Sequence, residues 1–293
     1  MKPYRSFLFI PGNRQRMMDK GATTDADALL FDLEDAVPNS ENDVARSMVR
    51  EYIPTLTGKP AFVRINAPST AETRLDLEAV VCPALSGVFV PKVDSAEEVV
   101  QVAELLDELE RASGTPAGQV EMICMIETAV GLRRSYDIAS ASKRVASLCC
   151  SSAQHGDLET DLGCDWSPEG LEMMYPRAKI VVDARAAGLE HPVDGVYAGL
   201  YDIEGLIRDT TLAKRLGYKG RAIIHPSHIE EVNRIYSPTP ETVAYCRGLL
   251  EAFENALADG SASVAYEGKM IDYAMEKWAR RILGQAELLG IES

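Results

Sequence analysis

Short apolar segments alternate with amphipathic helical segments along most of this chain of 293 residues, and this alternation predicts the fold class. Strands separated by helices are typical of a parallel sheet, and near-continuous apolar strands indicate burial on both faces. Eight such segments are present, the number that closes a parallel sheet into a barrel. The sequence therefore predicts an α/β protein, a (β/α)₈ TIM barrel with a C-terminal helical extension.

The eight predicted strands follow one another at intervals that leave room for a helix between them. They are Ser6–Ile10, Ala28–Leu33, Ala61–Ile65, Gly87–Val90, Glu121–Ile126, Val145–Cys150, Gly195–Ala198 and Ala222–Ile224. The helix between the fourth and fifth strands has the clearest boundaries, because Ser95 and Glu98 form a capping-box pattern. Gly114 then predicts where this helix ends.

The C-terminal part of the chain is longer than barrel closure requires. We assign residues 1–238 to the barrel and residues 239–293 to a C-terminal helical extension. Within this extension, a glycine- and serine-rich segment, Gly260–Ser263, separates a helix that ends near Ala258 from one that begins near Met270. Such a segment indicates a hinge between the two helices.

The composition excludes several classes of partner. Forty-five acidic residues against thirty lysines and arginines give a formal charge of −15, which argues against a nucleic-acid ligand. No apolar run approaches the ~18 residues of a membrane span, and no signal peptide is evident. The six cysteines form no C-x-x-C pair, so we expect reduced thiols in a soluble cytoplasmic protein with no membrane partner.

Polar side chains follow most of the predicted strands, where a barrel of this type places its active site. They are Asp32, Glu34, Asp35, Arg64, Asn66, Lys92, Glu127, Asp157 and His225. Any one of them could simply mark a strand that exits into water, and a lone histidine such as His225 is more often structural. Several in register predict an active site at one mouth of the barrel.

Glu127 and Asp157 follow the adjacent fifth and sixth strands, so their carboxylates can meet. Two carboxylates, with water and substrate as the remaining ligands, suit Mg²⁺. A solvated or salt-bridged pair and a metal-free acid–base dyad stay open as alternatives. Arg64 ends the third strand, where its guanidinium could bind a carboxylate or stabilise an enolate oxygen, or merely brace Glu34 and Asp35.

These residues lie in motifs that resemble the citrate lyase β-subunit and malyl-CoA lyase family of the HpcH/HpaI aldolase superfamily. The motifs run in order from residue 4 to about 285 and are specific when taken together. They are Arg5-Ser6-x-Leu8-Phe9-x-Pro11-Gly12, Phe31-Asp32-Leu33-Glu34-Asp35-Ala36-Val37-Pro38, Arg64-x-Asn66, Val90-Pro91-Lys92, Ile126-Glu127-Thr128, Asp161-Leu162-Gly163, Ile224-His225-Pro226 and Gly268-Lys269-Met270-Ile271-Asp272.

The resemblance implies Mg²⁺-dependent cleavage or formation of 3-hydroxyacyl-CoA thioesters of the malyl-, citramalyl- or citryl-CoA type, with a CoA thioester and an α-keto acid as partners. It implies that Glu127 and Asp157 are the metal ligands and that Arg64 contacts the substrate's carbonyl and carboxylate. Glu34 and Asp35 match acids that position this arginine and an ordered water.

The resemblance also implies roles outside the strand ends. Asp272 matches a catalytic aspartate on a lid that reaches into a neighbouring subunit. This match implies that residues 239–293 form a lid or oligomerisation extension and that the protein is a homo-oligomer, a trimer or hexamer. Arg5 and Lys20 match basic residues near the CoA phosphates. Four further residues match the backbone near the nucleotide. They are Ile223, Ile224, His225 and Pro226.

The segment before Asp157 departs from the family pattern. The family commonly has Gly-Ala-Glu before this aspartate, whereas this chain has Gln154-His155-Gly156. The acyl group and stereoisomer therefore stay open. Three alternatives to a stand-alone lyase also stay open: a β subunit of a citrate lyase complex that acts on a carrier-bound thioester, a malyl-CoA thioesterase, and a CoA-binding homologue without turnover.

Overall fold

The computed structural model describes residues 2–291 and contains a closed barrel of eight parallel strands. Each strand pairs with the next, and β1 pairs with β8 to close the sheet. The strands are β1 Ser6–Pro11, β2 Ala28–Asp32, β3 Ala61–Arg64, β4 Leu85–Val90, β5 Glu121–Ile126, β6 Val145–Cys150, β7 Val193–Asp194 and β8 Gly220–Ile223. The predicted (β/α)₈ TIM barrel is confirmed.

Helices follow the strands around the barrel. They are α1 Gln15–Ala22, α2 Asn42–Tyr52, α3 Glu72–Val80, α4 Ala96–Ser113, α5 Ala129–Arg133, α6 Ser135–Ser140, α7 Asp157–Leu162, α8 Met174–Ala186, α9 Ile203–Leu216 and α10 Ile229–Tyr236. Short 3₁₀ turns occur at Asn39–Glu41, Ile53–Thr55 and Pro226–His228. The predicted capping box of α4 is present, since Ser95 accepts a hydrogen bond from the Glu98 amide and Gly114 ends the helix in the left-handed conformation.

The seventh strand was predicted in the wrong place. Residues 195–198 are not a strand, and β7 consists only of Val193–Asp194, which pairs with Cys149 and Cys150 of β6. The apolar signal continues past β7 for a different reason, because Val196 lines a cavity rather than a sheet. Gly195 passes so close to β6 that a Cβ atom would lie 2.4 Å from the Cys150 carbonyl oxygen.

Aromatic side chains fill the interior of the barrel. Phe7, Phe62 and Phe89 are fully buried and contact one another edge to face, with ring centroids 5.2 to 6.0 Å apart. Such offset contacts add to the stabilisation that burial provides. Phe9, two residues beyond Phe7 on the same face of β1, lines a cavity. The apolar layer thus supports the polar groups at the strand ends.

The chain divides into two compact units, Met1–Asn233 and Arg234–Ser293. The second unit contains α11 Pro240–Ala258, a hairpin of β9 Val264–Tyr266 and β10 Lys269–Ile271, and α12 Tyr273–Leu288. The helix ending at Ala258 was predicted, whereas the hairpin was not, and α12 begins three residues later than expected. Leu249, Phe253 and Ile271 are among its buried residues.

No helix within residues 2–291 is both long enough and apolar enough to cross a membrane.

Candidate active site

A cavity of about 440 Å³ opens at the C-terminal ends of the strands in the first unit. Its polar lining contains five of the strand-end residues singled out from the sequence. They are Asp32, Asp35, Arg64, Glu127 and Asp157. Phe9, Val196 and Ile224 are among the apolar residues that complete the wall. A concave, partly apolar pocket with convergent polar groups is the usual form of a small-molecule site.

Arg64, the last residue of β3, is the fixed cation of this site. Its Nε and Nη2 atoms each donate to a different oxygen of Asp32, both at 2.6 Å. Its Nη1 atom lies 3.0 Å from Glu34 and 3.2 Å from Asp35. The Phe9 ring lies below the guanidinium, 4.9 Å from its centre. Bidentate pairing and a ring contact hold the planar group in one orientation at the cavity wall.

Asp32 is the principal partner of Arg64, and sequence reasoning gave it no role. The two residues lie side by side in the register of β2 and β3, so their side chains meet where both strands end. The Asp32 carboxylate also accepts hydrogen bonds from the backbone N–H groups of Glu34 and Ala36. The position of Asp32 at a strand end indicated that it could belong to the site. Its pairing with Arg64 could be recognised only from the register between the two neighbouring strands.

Lys92, which follows β4, connects the acids of the site. Its backbone N–H donates to Glu127 at 2.9 Å, and its Nζ atom lies 2.8 Å from Glu34 and 3.4 Å from Asp157. The residue has a φ of 51°, in the left-handed region that disfavours residues with a Cβ atom. This conformation lets one residue direct its amide and its ammonium group to different carboxylates. The sequence placed Lys92 at a strand end but gave it no function.

Glu127 and Asp157 line the same cavity, as their adjacent strand ends predicted. Glu127 is buried, whereas the side chain of Asp157, at the start of α7, is half exposed. Burial raises the pKa of Glu127, with a further contribution from the negative charge of Asp157, while Arg64 and Lys92 lower it. The two carboxylates are therefore near enough to repel each other, and the burial of Glu127 limits the screening of this repulsion by water.

The charged side chains at this mouth of the barrel include more acids than cations. Two cations, Arg64 and Lys92, face five acids. The five are Asp32, Glu34, Asp35, Glu127 and Asp157. Burial raises the pKa of Glu34 to about 7 even though Arg64 and Lys92 favour its charged form. Like charges held together in a cavity favour a bound cation.

The donor atoms fit a hard divalent cation such as Mg²⁺, since the acids facing the cavity offer oxygen ligands only. Within the described part of the chain, no three His, Cys, Asp or Glu side chains converge closely enough to enclose a metal by themselves. Glu127 and Asp157 would therefore supply two ligands and leave the others to water and substrate. This arrangement is open, as in a metal site that takes part in a reaction.

The residues predicted to contact the nucleotide lie at and beyond the end of β8. Ile223 is the buried last residue of the strand, and Ile224 lines the cavity. His225 precedes the 3₁₀ turn that begins at Pro226, and its Nδ1 atom lies 2.7 Å from the Ser227 hydroxyl. Lys20 is exposed in the last turn of α1. Their contacts with CoA stay predictions.

Arg5 does not lie at this mouth. It precedes β1, and its Nε and Nη2 atoms pair with Asp27 at 2.8 and 2.7 Å, just before β2. Both residues are at the N-terminal ends of the strands, whereas the cavity is at the C-terminal ends. Arg5 is therefore not brought together with the other predicted site residues, and its contact with the CoA phosphates stays a prediction.

Asp272 belongs to the second unit, where it caps α12. Its carboxylate accepts hydrogen bonds from the backbone N–H groups of Ala274 at 2.9 Å and Met275 at 3.2 Å. This contact explains the aspartate as a helix cap. Its predicted catalytic role across a subunit boundary stays a prediction.

With the barrel and its acidic mouth described, the family can be stated. The model of the HpcH/HpaI aldolase/citrate lyase family matches residues 5–226, and that of the carbon–carbon bond lyases of the TIM-barrel fold matches residues 181–291. The chain belongs to the HpcH/HpaI aldolase/citrate lyase family and is a carbon–carbon lyase by class.

Three similar proteins place it within this family. Citrate lyase subunit beta of Escherichia coli K12 is 35% identical over 289 residues, covering 98% of this chain and 94% of the relative. A (3S)-malyl-CoA thioesterase of Cereibacter sphaeroides is 32% identical, covering 98% and 96%. The structure of CitE from Mycobacterium tuberculosis with magnesium, acetoacetate and coenzyme A is 29% identical, with a TM-score of 0.76 and coverage of 96% and 97%.

Proposed function

We propose that this protein is a Mg²⁺-dependent lyase that cleaves or forms a carbon–carbon bond in 3-hydroxyacyl-CoA thioesters of the malyl-, citramalyl- or citryl-CoA type. The observation that carries the proposal is the surplus of carboxylates around Glu127 and Asp157, in a cavity that also presents the fixed guanidinium of Arg64. The similar CitE structure, which contains magnesium, acetoacetate and coenzyme A, supports it.

The residues of the mouth suit a reaction that develops negative charge next to a carbonyl. A bound Mg²⁺ would act as a Lewis acid on the carbonyl oxygen of an α-keto acid. Two hydrogen bonds to Asp32 hold the Arg64 guanidinium in place at the cavity wall. The guanidinium can therefore stabilise an enolate or carboxylate oxygen without changing its conformation. Glu34 and Asp35 fix the other side of this guanidinium.

The base that removes a proton from acetyl-CoA in the condensation direction is proposed to be Asp272, delivered by the C-terminal unit of a neighbouring subunit. The Asp272 carboxylate is a helix cap in the single chain, so the same group serves two roles in this proposal. If Asp272 is the base, Asp272→Asn should preserve the cap and the fold but lower turnover by about 100-fold or more. Unchanged turnover with normal thermal unfolding would exclude the role.

A thioesterase is the second candidate, because relatives with that activity are 32% identical over almost the whole chain. A β subunit of a citrate lyase complex is the third, because relatives of that kind are 34 to 35% identical. The three candidates differ in products or in the carrier of the thioester.

The test is to supply malyl-, citramalyl-, β-methylmalyl- and citryl-CoA to the purified protein with Mg²⁺ and to identify the products. From malyl-CoA, glyoxylate and acetyl-CoA would indicate a lyase, whereas free malate and CoA would indicate a thioesterase. Asp157→Ala is the control, and we expect it to lose Mg²⁺-dependent turnover. A variant that keeps this turnover would contradict the proposed ligand set, and no turnover of any ester would favour a carrier-bound substrate or a binding protein.

A further inference from the structure

A second cavity, of about 300 Å³, lies next to the active-site cavity in the first unit. The two share a wall, the loop that follows β6. Ser151 and Ala153 of this loop line the active-site cavity, whereas Ser152 and Gln154 line the second one. Val196, after β7, lines both. The second cavity is therefore a distinct compartment behind the loop that leads to the proposed metal ligand.

We call this second cavity the side pocket. Its charged residues differ in the partners that they have. Arg208 of α9 lines the pocket, and within residues 2–291 its guanidinium makes no hydrogen bond or close ion pair, although its charge acts on the Asp202 carboxylate and the Tyr197 hydroxyl. Asp202 also lines the pocket, but its carboxylate accepts hydrogen bonds from the Tyr197 hydroxyl at 2.6 Å and the Gly205 amide at 2.9 Å. Asp209, the other acid, pairs with Arg177 at 2.8 Å. The N–H groups of the Arg208 guanidinium thus remain available to a ligand.

The other walls of the pocket indicate the kind of anion that would fit. Trp166, Pro168 and Ala198 provide apolar contact, and Gln154 adds an amide. A guanidinium binds a carboxylate through two parallel hydrogen bonds, and an indole ring covers a short apolar chain. A bare inorganic anion would use the cation but would leave the apolar walls without a partner.

We propose that the side pocket binds a small organic carboxylate, with its anionic end on Arg208 and its apolar part against Trp166. This site is separate from the proposed lyase chemistry, because neither Arg64 nor the proposed metal ligands Glu127 and Asp157 line the pocket. Its occupant would contact the back of the loop that carries Gln154, the segment that departs from the family pattern.

Tryptophan fluorescence provides a direct measurement, because the chain has only two tryptophans, Trp166 and Trp278. In a Trp278→Phe background, the emission of Trp166 reports on the side pocket alone. We would titrate this protein without Mg²⁺ using butyrate, its neutral counterpart butyramide, and inorganic phosphate. We expect a saturable change with butyrate, and binding at least about tenfold weaker for butyramide and for phosphate.

Variants of the cation complete the test. Arg208→Gln should weaken butyrate binding about tenfold or more, and Arg208→Lys should restore part of it, because an ammonium keeps the charge but not the planar fork. Arg133→Gln removes an exposed cation of α5 outside the pocket and should have no effect. No saturable change, equal binding of butyrate and phosphate, or an equal response of the Arg208 and Arg133 variants would overturn the proposal.

These outcomes do not depend on catalysis, since they are measured without metal or thioester. A protein that fails every lyase assay could still bind butyrate through Arg208, and an active lyase could fail to bind it.

Discussion

Two clusters of arginines and acids lie within the same barrel, and they differ in charge balance. The balanced cluster consists of Arg177, Arg221, Asp194 and Asp209. Both of its arginines pair with Asp194 at 2.5 Å, and both also pair with Asp209. The mouth cluster consists of Asp32, Glu34, Asp35, Arg64, Lys92, Glu127 and Asp157, and it has three more acids than bases.

This difference in charge balance distinguishes a cluster that stabilises the fold from one that is suited to binding a ligand. In the balanced cluster each charge has a partner, and the arginines are almost completely buried. It joins β7 and β8 to α8 and α9, which is a structural task. At the mouth, surplus carboxylates line an open cavity, so the protein keeps an unfavourable arrangement that a bound cation would relieve. Sites of this kind trade stability for function.

The largest effect on stability is expected when the balanced cluster loses one charge. Asp194→Asn leaves two buried guanidinium groups with a single acid, and breaking a buried pair in this way costs about 3–5 kcal/mol. Urea unfolding at pH 7 measures the loss. Asp43→Asn is a matched control, because Asp43 pairs with Arg46 from a fully solvated position, and its loss should be below about 1 kcal/mol. Equal losses would remove the distinction between the clusters.

A change in pH is expected to have an intermediate effect on stability. The direction of this effect is opposite for Glu34 of the mouth cluster and Asp209 of the balanced cluster. The pKa of Glu34 is raised from 4.5 to about 7, so its contribution to metal-free stability is present below pH 4.5 and is lost as pH rises through 7. The loss is on the order of 3 kcal/mol. The pKa of Asp209 is lowered from 3.8 to about 2 beside Arg221 and Arg177, so its contribution is lost as pH falls through 2.

Unfolding by urea across pH 4 to 8 in the presence of a chelator tests this expectation. Glu34→Gln should flatten the decline between pH 4.5 and 7, whereas Asp209→Asn should leave that decline unchanged. A wild-type profile that rises over this range, or a decline that is as steep in Glu34→Gln as in the wild type, would mean that Glu34 does not carry the surplus charge.

The smallest effect on stability is expected from Glu127→Gln, and it has the opposite sign to Asp194→Asn. Removing one of the crowded carboxylates should stabilise the metal-free protein at pH 8 by on the order of 1 kcal/mol. The same change should lower Mg²⁺-dependent turnover by about 100-fold or more, because a neutral amide is a poor ligand for Mg²⁺. Destabilisation by Glu127→Gln would show that this carboxylate serves the fold, as Asp194 does.

Local sequence patterns were sufficient for most of the barrel. Apolar runs located seven strands to within a few residues, and the position of polar residues after them brought Arg64, Glu127 and Asp157 to one cavity. This worked because side-chain burial in a strand is a local property, and because all parallel strands of a barrel end at the same mouth. The seventh strand failed because an apolar residue, Val196, can face a cavity as well as a sheet.

The sequence by itself therefore determined the barrel, the family and the set of acids at the strand ends. Only the tertiary structure decided which of these charges are neutralised. The pairing of Asp32 with Arg64 depends on register between two strands, and the bridging position of Lys92 depends on a left-handed backbone turn. The same is true of Arg177, which pairs with two acids, and of Arg208, which lines a cavity without a close ion pair to any described residue, since a charge acquires its role from atoms that are distant in the chain.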